Sequence, residues 1–214
     1  MTTLALEFSS DRRGVAVARE GRVLSEVIHS ETRETPIFAL ITRALEQAGI
    51  DRSGIDCLAI GLGPGSYTGV RLAISVAQGW QLGTGVTTVG ISSLENLAIV
   101  AADLGPTLLA IDSQRQEFAV VEAAEGRLTG TVRLMAAADL AVRLAAGDGV
   151  AGPDRQPGLE GIRPLFPSAA VLAQLAVGRP SVPSEQLTPI YLREAAFAKA
   201  PPMRTVDWTP SAGI

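Results

Sequence analysis

The densest candidate for chemistry is the stretch Gly61-Leu62-Gly63-Pro64-Gly65-Ser66-Tyr67-Thr68-Gly69-Val70-Arg71. Four glycines and a proline fall within nine positions of it. The apolar run Cys57 to Ile60 precedes it and a long apolar helical pattern follows, so it reads as strand, tight loop and helix start. Glycine reaches backbone angles that other residues reach only with strain, and it lets a neighbour approach the main chain closely. Such a loop can aim N–H groups at an anion, or it can simply turn a structural corner. Two carboxylates stand at other strand ends. Glu7 is followed by Ser9 and Ser10, and Asp112 by Ser113-Gln114-Arg115-Gln116. Phosphate chemistry with Mg²⁺ uses carboxylates at such turns, together with glycines that cradle the phosphates.

The familiar phosphate and acyl chemistries fit poorly. A Walker A loop ends in Gly-Lys-Ser/Thr, whereas this one ends in Gly65-Ser66-Tyr67. A dinucleotide fingerprint needs an acid closing the next strand, and that strand ends at Ile91-Ser92. A nucleophile elbow needs serine at the centre of Gly-x-Ser-x-Gly; in Gly65-Ser66-Tyr67-Thr68-Gly69 it comes one position early. His29 is the only histidine and Cys57 the only cysteine, so no histidine-built metal site, Ser-His-Asp triad or Cys-His pair can be assembled. No metal is expected. The turns after Glu7 and Asp112 lack glycine, and glutamate is longer than the aspartate that Mg²⁺–nucleotide chemistry would use. Nucleotide hydrolysis is therefore not expected of this chain.

The elements that would position these residues alternate between strand and helix. The chain opens with a meander: Thr3–Phe8, Val15–Ala18 and Val23–Ile28, with Glu20-Gly21 as a tight turn. A helix follows from Pro36-Ile37 to Ala48, closed by Gly49. Next come the strand before the glycine loop, a helix over about 66–82, the strand Thr87–Ile91, and a helix from Ser92 or Ser93 to about Leu104. Gly105-Pro106 is a break, after which the opening unit recurs. At a constant offset of 105, Ala5, Val15, Glu20, Gly21 and Arg22 meet Ala110, Val120, Glu125, Gly126 and Arg127, and Glu7 falls on Asp112. The helix Ala136–Ala146, a glycine- and proline-rich loop over 147–167, the helix Ser168–Val177, and extended segments to Arg193 complete the pattern. The expected architecture is α/β: two similar lobes of mixed sheet flanked by helices, the lobes at 1–104 and 105–200. A tail at 201–214, without periodicity, is expected to be disordered.

Composition limits the partners. Of 214 residues, 47% are hydrophobic and 19% charged, and the net charge is −4. Without a basic block, direct high-affinity nucleic-acid binding is not expected. A single cysteine fits a reducing compartment, and neither a signal peptide nor a membrane span is read, so the expected location is cytoplasmic. The apolar excess suggests an additional buried face. The helix after the glycine loop carries an apolar arc of about 200°, twice what packing on a sheet needs. Either it is buried between sheet and a neighbouring helix, or its surplus face meets another protein. The interface reading selects Ile37, Leu40, Ile41, Ala44, Val70, Ala73, Ile74, Ala77 and Trp80.

At these residues the sequence resembles the TsaB (YeaZ) family, which acts in making threonylcarbamoyladenosine on tRNA. The signature is Gly63-Pro64-Gly65-Ser66-Tyr67-Thr68-Gly69-Val70-Arg71. Leu4-Ala5-Leu6-Glu7, Gly90-Ile91-Ser92-Ser93-Leu94, Ala110-Ile111-Asp112 and Pro189-Ile190-Tyr191-Leu192-Arg193 support it. The resemblance implies an actin-like ATPase (ASKHA) fold without catalysis of its own. It implies an accessory subunit that binds and activates a TsaD-type catalytic protein through N-lobe helices. It also implies a TsaE-type ATPase in the complex, a homodimer when the chain is alone, and no cofactor of its own, with ADP or ATP at the joint with partners. Glu7, Ser9, Ser10 and Asp112 would be vestigial phosphate-loop positions. A paired-histidine metal motif, characteristic of TsaD, is absent from this sequence. Glu7 stands for the family's usual Asp, Tyr67 for its Phe, and Thr32-Arg33-Glu34-Thr35-Pro36 lacks the His-Ser-Glu often found before the first helix. The rival reading is a small self-contained ATPase or kinase of the same fold.

Overall fold

The structure is a computed structural model, and it describes residues 1–30, 35–154 and 156–192. The first sheet has the order β3-β2-β1-β4-β5. Its strands are β1 (Thr2–Glu7), β2 (Arg13–Arg19), β3 (Arg22–His29), β4 (Cys57–Gly61) and β5 (Thr87–Ile91). The meander β1–β3 is antiparallel, and β4 and β5 add in parallel. The second sheet has the order β11-β10-β6-β7-β8, with β9 also paired to β7. It comprises β6 (Thr107–Asp112), β7 (Glu117–Ala124), β8 (Arg127–Leu128), β9 (Arg133–Ala136), β10 (Val150–Gly152) and β11 (Arg163–Pro164). β10 and β11 lie where the sequence reads as loop. They are short, and parallel pairing with distant residues is what defines them.

The internal repeat is visible in the backbone. Glu20 and Gly21 join β2 to β3 with φ of 50° and 77°; Glu125 and Gly126 join β7 to β8 with 50° and 75°. Positive φ at both central residues is the requirement of a tight hairpin turn whose twist matches the strands. The copies differ at the turn before. Ala5 pairs with Ala16, but Ala110 pairs with Val120, one residue short of the constant offset. Gln114, Arg115 and Gln116 make that shorter turn with three successive left-handed residues, at 63°, 55° and 62°.

Alternation along β1 assigns its two faces. Leu4 and Leu6 pack with α1 (Ile37–Ala48) and α2 (Tyr67–Thr84). Ala5 packs with α5 (Ala169–Leu175) on the other face. The second sheet has α3 (Ser93–Val100) against Leu109, Ile111 and Val121, and α4 (Ala137–Ala145) against Leu108, Ala110 and Phe118. Helices α3 and α5 touch, forming a shared layer between the sheets. The sequence break at 104/105 is thus crossed twice. α3 precedes it but packs on the second sheet, and α5 follows it but packs on the first. The tail at 201–214 and Arg193 lie outside the described residues, as do Thr32, Arg33 and Glu34.

The interface residues selected from sequence require correction. Ile37, Leu40, Ile41, Ala44, Val70, Ala73, Ile74 and Ala77 are all buried in the chain's own core, and Trp80 is half-buried against it. The apolar arc of α2 is wide because the helix is covered from two sides. The sheet lies beneath it, and the turn Ser184–Gln186 lies alongside, with Ser184 N–H donating to Gln81 Oε1 at 2.8 Å. Ala73→Arg would drive a guanidinium into this core, with an expected loss of several kcal/mol. Failure to fold, or a strongly lowered thermal midpoint of the isolated chain, is the expected result; native-like stability would contradict the placement.

Candidate functional site

The glycine loop lies directly on the β1–β2 turn. A Cβ added at Gly65 would sit 2.1 Å from the Ser9 carbonyl oxygen, and one at Gly69 would sit 2.0 Å from the Phe8 carbonyl oxygen. At Gly61 it would meet the Glu7 carboxyl at 2.4 Å. These are clearances that no side chain meets. Three of the loop's amides are also committed inward: Leu62 N–H to Ile91 O at 2.9 Å, Gly63 N–H to Ser93 Oγ at 3.2 Å, Ser66 N–H to Ser9 O at 2.7 Å. Ser66 Oγ then accepts Gly69 N–H at 3.2 Å and caps α2. A loop that cradled phosphate would aim such amides outward.

Beneath the loop, Glu7 is fully buried. Its carboxyl accepts the Ser9 N–H at 3.0 Å, the Ser93 hydroxyl at 3.1 and 3.2 Å, and the Asn96 side-chain amide at 3.4 Å. Burial raises its pKa above the ordinary 4.5, opposed by the hydrogen bonds from Ser9 and Ser93. Asn96 continues the network: its amide donates to Ser168 O at 2.8 Å, and its oxygen accepts Ser168 N–H at 3.0 Å. Glu26 on β3 accepts the Ser168 hydroxyl at 2.9 Å and Ala170 N–H at 3.0 Å, capping α5 from the first sheet. Glu26 and Asn96 escaped the sequence reading, although Ser93 and Asn96 stand three apart on one helix face. Ser9 joins this network, while the Ser10 hydroxyl turns to Arg12 O at 3.3 Å.

Asp112 is not in it. It stands across a cleft of about 650 Å³ between the glycine loop and the β6–β7 turn. Gly63, Pro64, Gly65, Tyr67 and Arg71 form one wall, and Asp112, Ser113, Gln114 and Arg115 form the other. Pro189–Leu192 also lines it: Ile190 N–H donates to Leu62 O at 2.9 Å, and Tyr191 OH accepts from Arg71 Nε at 3.0 Å. The Arg71 guanidinium lies 4.0 Å from the centre of the Tyr67 ring, which is 6.0 Å from that of Tyr191. Three separated motifs of the sequence, at 61–71, 112 and 189–192, therefore meet at one cleft. Thr68 is exposed on the first turn of α2. A smaller cavity of about 260 Å³ lies elsewhere, at the end of α1 beside Gly49.

Asp154, also missed from sequence, accepts the Asp112 N–H at 2.7 Å. Burial, then the neighbouring charges of Asp112 and Asp11, push its pKa up to about 6. Among the described residues, no group of three or more His, Cys, Asp or Glu could hold a metal. Nor is any helix among them long and apolar enough to cross a membrane.

Two mixed sheets, each opening with the same meander and separated by a helical layer, define the actin-like ATPase fold. The family model described as TsaD, tRNA N6-adenosine threonylcarbamoyltransferase, matches residues 23–170. The chain is 32% identical over 121 residues to the tRNA threonylcarbamoyladenosine biosynthesis protein TsaB of Haemophilus influenzae, covering 55% of this chain and 51% of that protein. The Bacillus subtilis protein of the same name is 35% identical over 105 residues, 46% of this chain and 44% of the relative. The chain thus spans about half the length of these curated relatives. A crystal structure from Pseudomonas aeruginosa, titled as similar to the peptidase YEAZ, superposes with a TM-score of 0.70 at 29% identity, over 90% of this chain and 99% of that one. The chain belongs to the family of the matched model, in its TsaB/YeaZ branch.

Two outcomes test the site. Gly65→Ala, with φ of +139° and no clearance, is expected to cost roughly 3 kcal/mol or more, read from urea unfolding. For Asp154 the folded pKa is raised, so its contribution to stability is fully present below 3.8 and is lost as pH rises through about 6. Asp154→Asn is expected to flatten this part of the stability–pH curve; an unchanged curve would show that Asp154 is not so placed.

Proposed function

We propose that the chain is a non-catalytic subunit in the formation of N6-threonylcarbamoyladenosine on tRNA. It binds and activates a TsaD-type transferase through the outward faces of α1 and α2. The observation that carries this reading is the outer face of α2. Gly79 lies inside α2 and Gly83 one turn further on, next to the last residue of the helix; an added Cβ at either would meet nothing within 4 Å among the described residues. Leu82, between them, is 91% exposed. A mid-helix glycine costs about 1 kcal/mol relative to alanine, and nothing inside the chain offsets it. Two small positions on one stripe let a partner helix approach closely, since interaxial distance follows the side chains at the contact. On α1, Phe38 is 65% exposed and adds an apolar anchor.

The absence of catalysis in this chain is supported by the inward commitment of the loop amides. ADP or ATP then belongs to the joint with the transferase and a TsaE-type ATPase. The same outward stripe pairs two copies when the chain is alone. The net charge of −4 leaves tRNA contact to the partners, and the setting is cytoplasmic.

Leu82→Arg is the direct test. The variant is expected to keep the wild-type thermal midpoint, because the side chain is exposed, and to lose at least tenfold in affinity for a co-expressed TsaD-type partner. tRNA modification in a reconstituted system should fall in parallel. Undiminished co-purification and modification would overturn the interface, and turnover of Mg-ATP by the isolated chain would overturn the accessory role.

A further inference from the structure

We infer that Glu7 is a built-in ligand: its carboxyl fills, from within, a donor-lined cradle beneath the glycine loop that would otherwise take a small external carboxylate. The cradle is assembled from two elements. The β1–β2 turn gives the Ser9 amide at 3.0 Å, and α3 gives the Ser93 hydroxyl at 3.1 Å and the Asn96 amide at 3.4 Å. Each α3 donor is also fixed by a second hydrogen bond. Gly63 N–H donates to Ser93 Oγ at 3.2 Å, and Asn96 exchanges two bonds with the Ser168 backbone, at 2.8 and 3.0 Å. Donors held in place from behind, converging at the N-terminal turn of a helix, are the arrangement that recognises an oxyanion.

The occupant is tethered and leaves no room beside it. Gly61 is glycine because a Cβ there would lie 2.4 to 2.7 Å from the Glu7 carboxyl. Among the described residues no Lys or Arg faces this carboxyl, and its pKa is governed by burial and by Ser9 and Ser93. The consequence is mechanical. The loop, α3 and α5 are held in register by a side chain rather than by a nucleotide, so the outer face of α2 is presented whether or not any ligand is bound.

The experiment is chemical rescue. Glu7→Ala empties the cradle, and sodium formate or acetate at about 100 mM is compared with sodium chloride of equal ionic strength in thermal unfolding. The variant is expected to unfold at a lower temperature and to regain about 2–5 °C with either carboxylate. The wild type is expected to show no such gain. Equal shifts in both proteins, or none in the variant, would overturn the inference. If Glu7→Ala does not fold, the same-sized Glu7→Gln decides. A folded-state pKa raised above 4.5 means that the wild-type advantage over Gln is full below that value and declines as pH rises through the raised one. A Glu7→Gln variant as stable as the wild type at every pH would overturn it equally.

Discussion

Two backbone carbonyl oxygens, those of Phe8 and Ser9, occupy the space where side chains of the glycine loop would begin. Much else in the first lobe follows from this contact. It forces glycine at 65 and 69, and the carboxyl of Glu7 forces it at 61. It sets where α2 starts, because Ser66 donates its N–H to Ser9 O and caps the helix with its hydroxyl. The start of α2 in turn decides which of its faces looks outward. A glycine-rich loop between strand and helix is commonly read as a place kept open for a ligand. Here the glycines keep it closed, and the main chain of the neighbouring turn fills the opening.

The same region joins the sheets. A polar residue without partners in a core costs roughly 1–3 kcal/mol, so a buried network holds only if every member is satisfied. Glu7, Ser93, Asn96, Ser168 and Glu26 satisfy one another across β1, β3, α3 and the start of α5. Because α3 serves the second sheet and α5 serves the first, this network makes the helical layer common property of both. The two lobes share a middle, although each opens with its own copy of the meander. Both copies keep the Glu-Gly hairpin turn with the same backbone angles, which is where the duplication is plainest.

Local signals in the sequence were legible because they act within a few residues. Ser66, Ser92 and Ser168 announce the helices they cap, and Gly49 ends α1 in the left-handed conformation. The repeat and the two-sheet architecture were likewise readable, whereas the spacing of the loop left open whether it turns a corner or meets a ligand. The outward face of α2 was not. A broad apolar arc measures how much of a helix is covered, without saying by what, and here the chain's own sheet and its 184–186 turn cover it. Asp154, Glu26 and Asn96 act across separations of 42 to 144 residues, and nothing in local spacing marks them. The strands β10 and β11 belong to the same class: two and three residues long, they exist only through distant partners.

The sequence argument for a partner surface rested on too much hydrophobicity, and the structural one rests on too little side chain. Gly79, inside α2, costs about 1 kcal/mol of helix stability, and Gly83 in the last turn costs less, against the 5–15 kcal/mol by which a domain of this kind is held folded. Neither has a positive φ, and neither is pressed by a neighbour among the described residues, unlike Gly61, Gly65 and Gly69 in the loop. The glycines of this chain therefore fall into two kinds. Those of the loop answer to contacts inside the molecule. Those on the exposed stripe of α2 answer to nothing inside it, and the exposed Leu82 beside them adds apolar surface that water covers only at a cost. Contact with another helix along the stripe would cover the exposed Leu82 and offset the cost of the glycines, which is the physical case for the proposed partner surface.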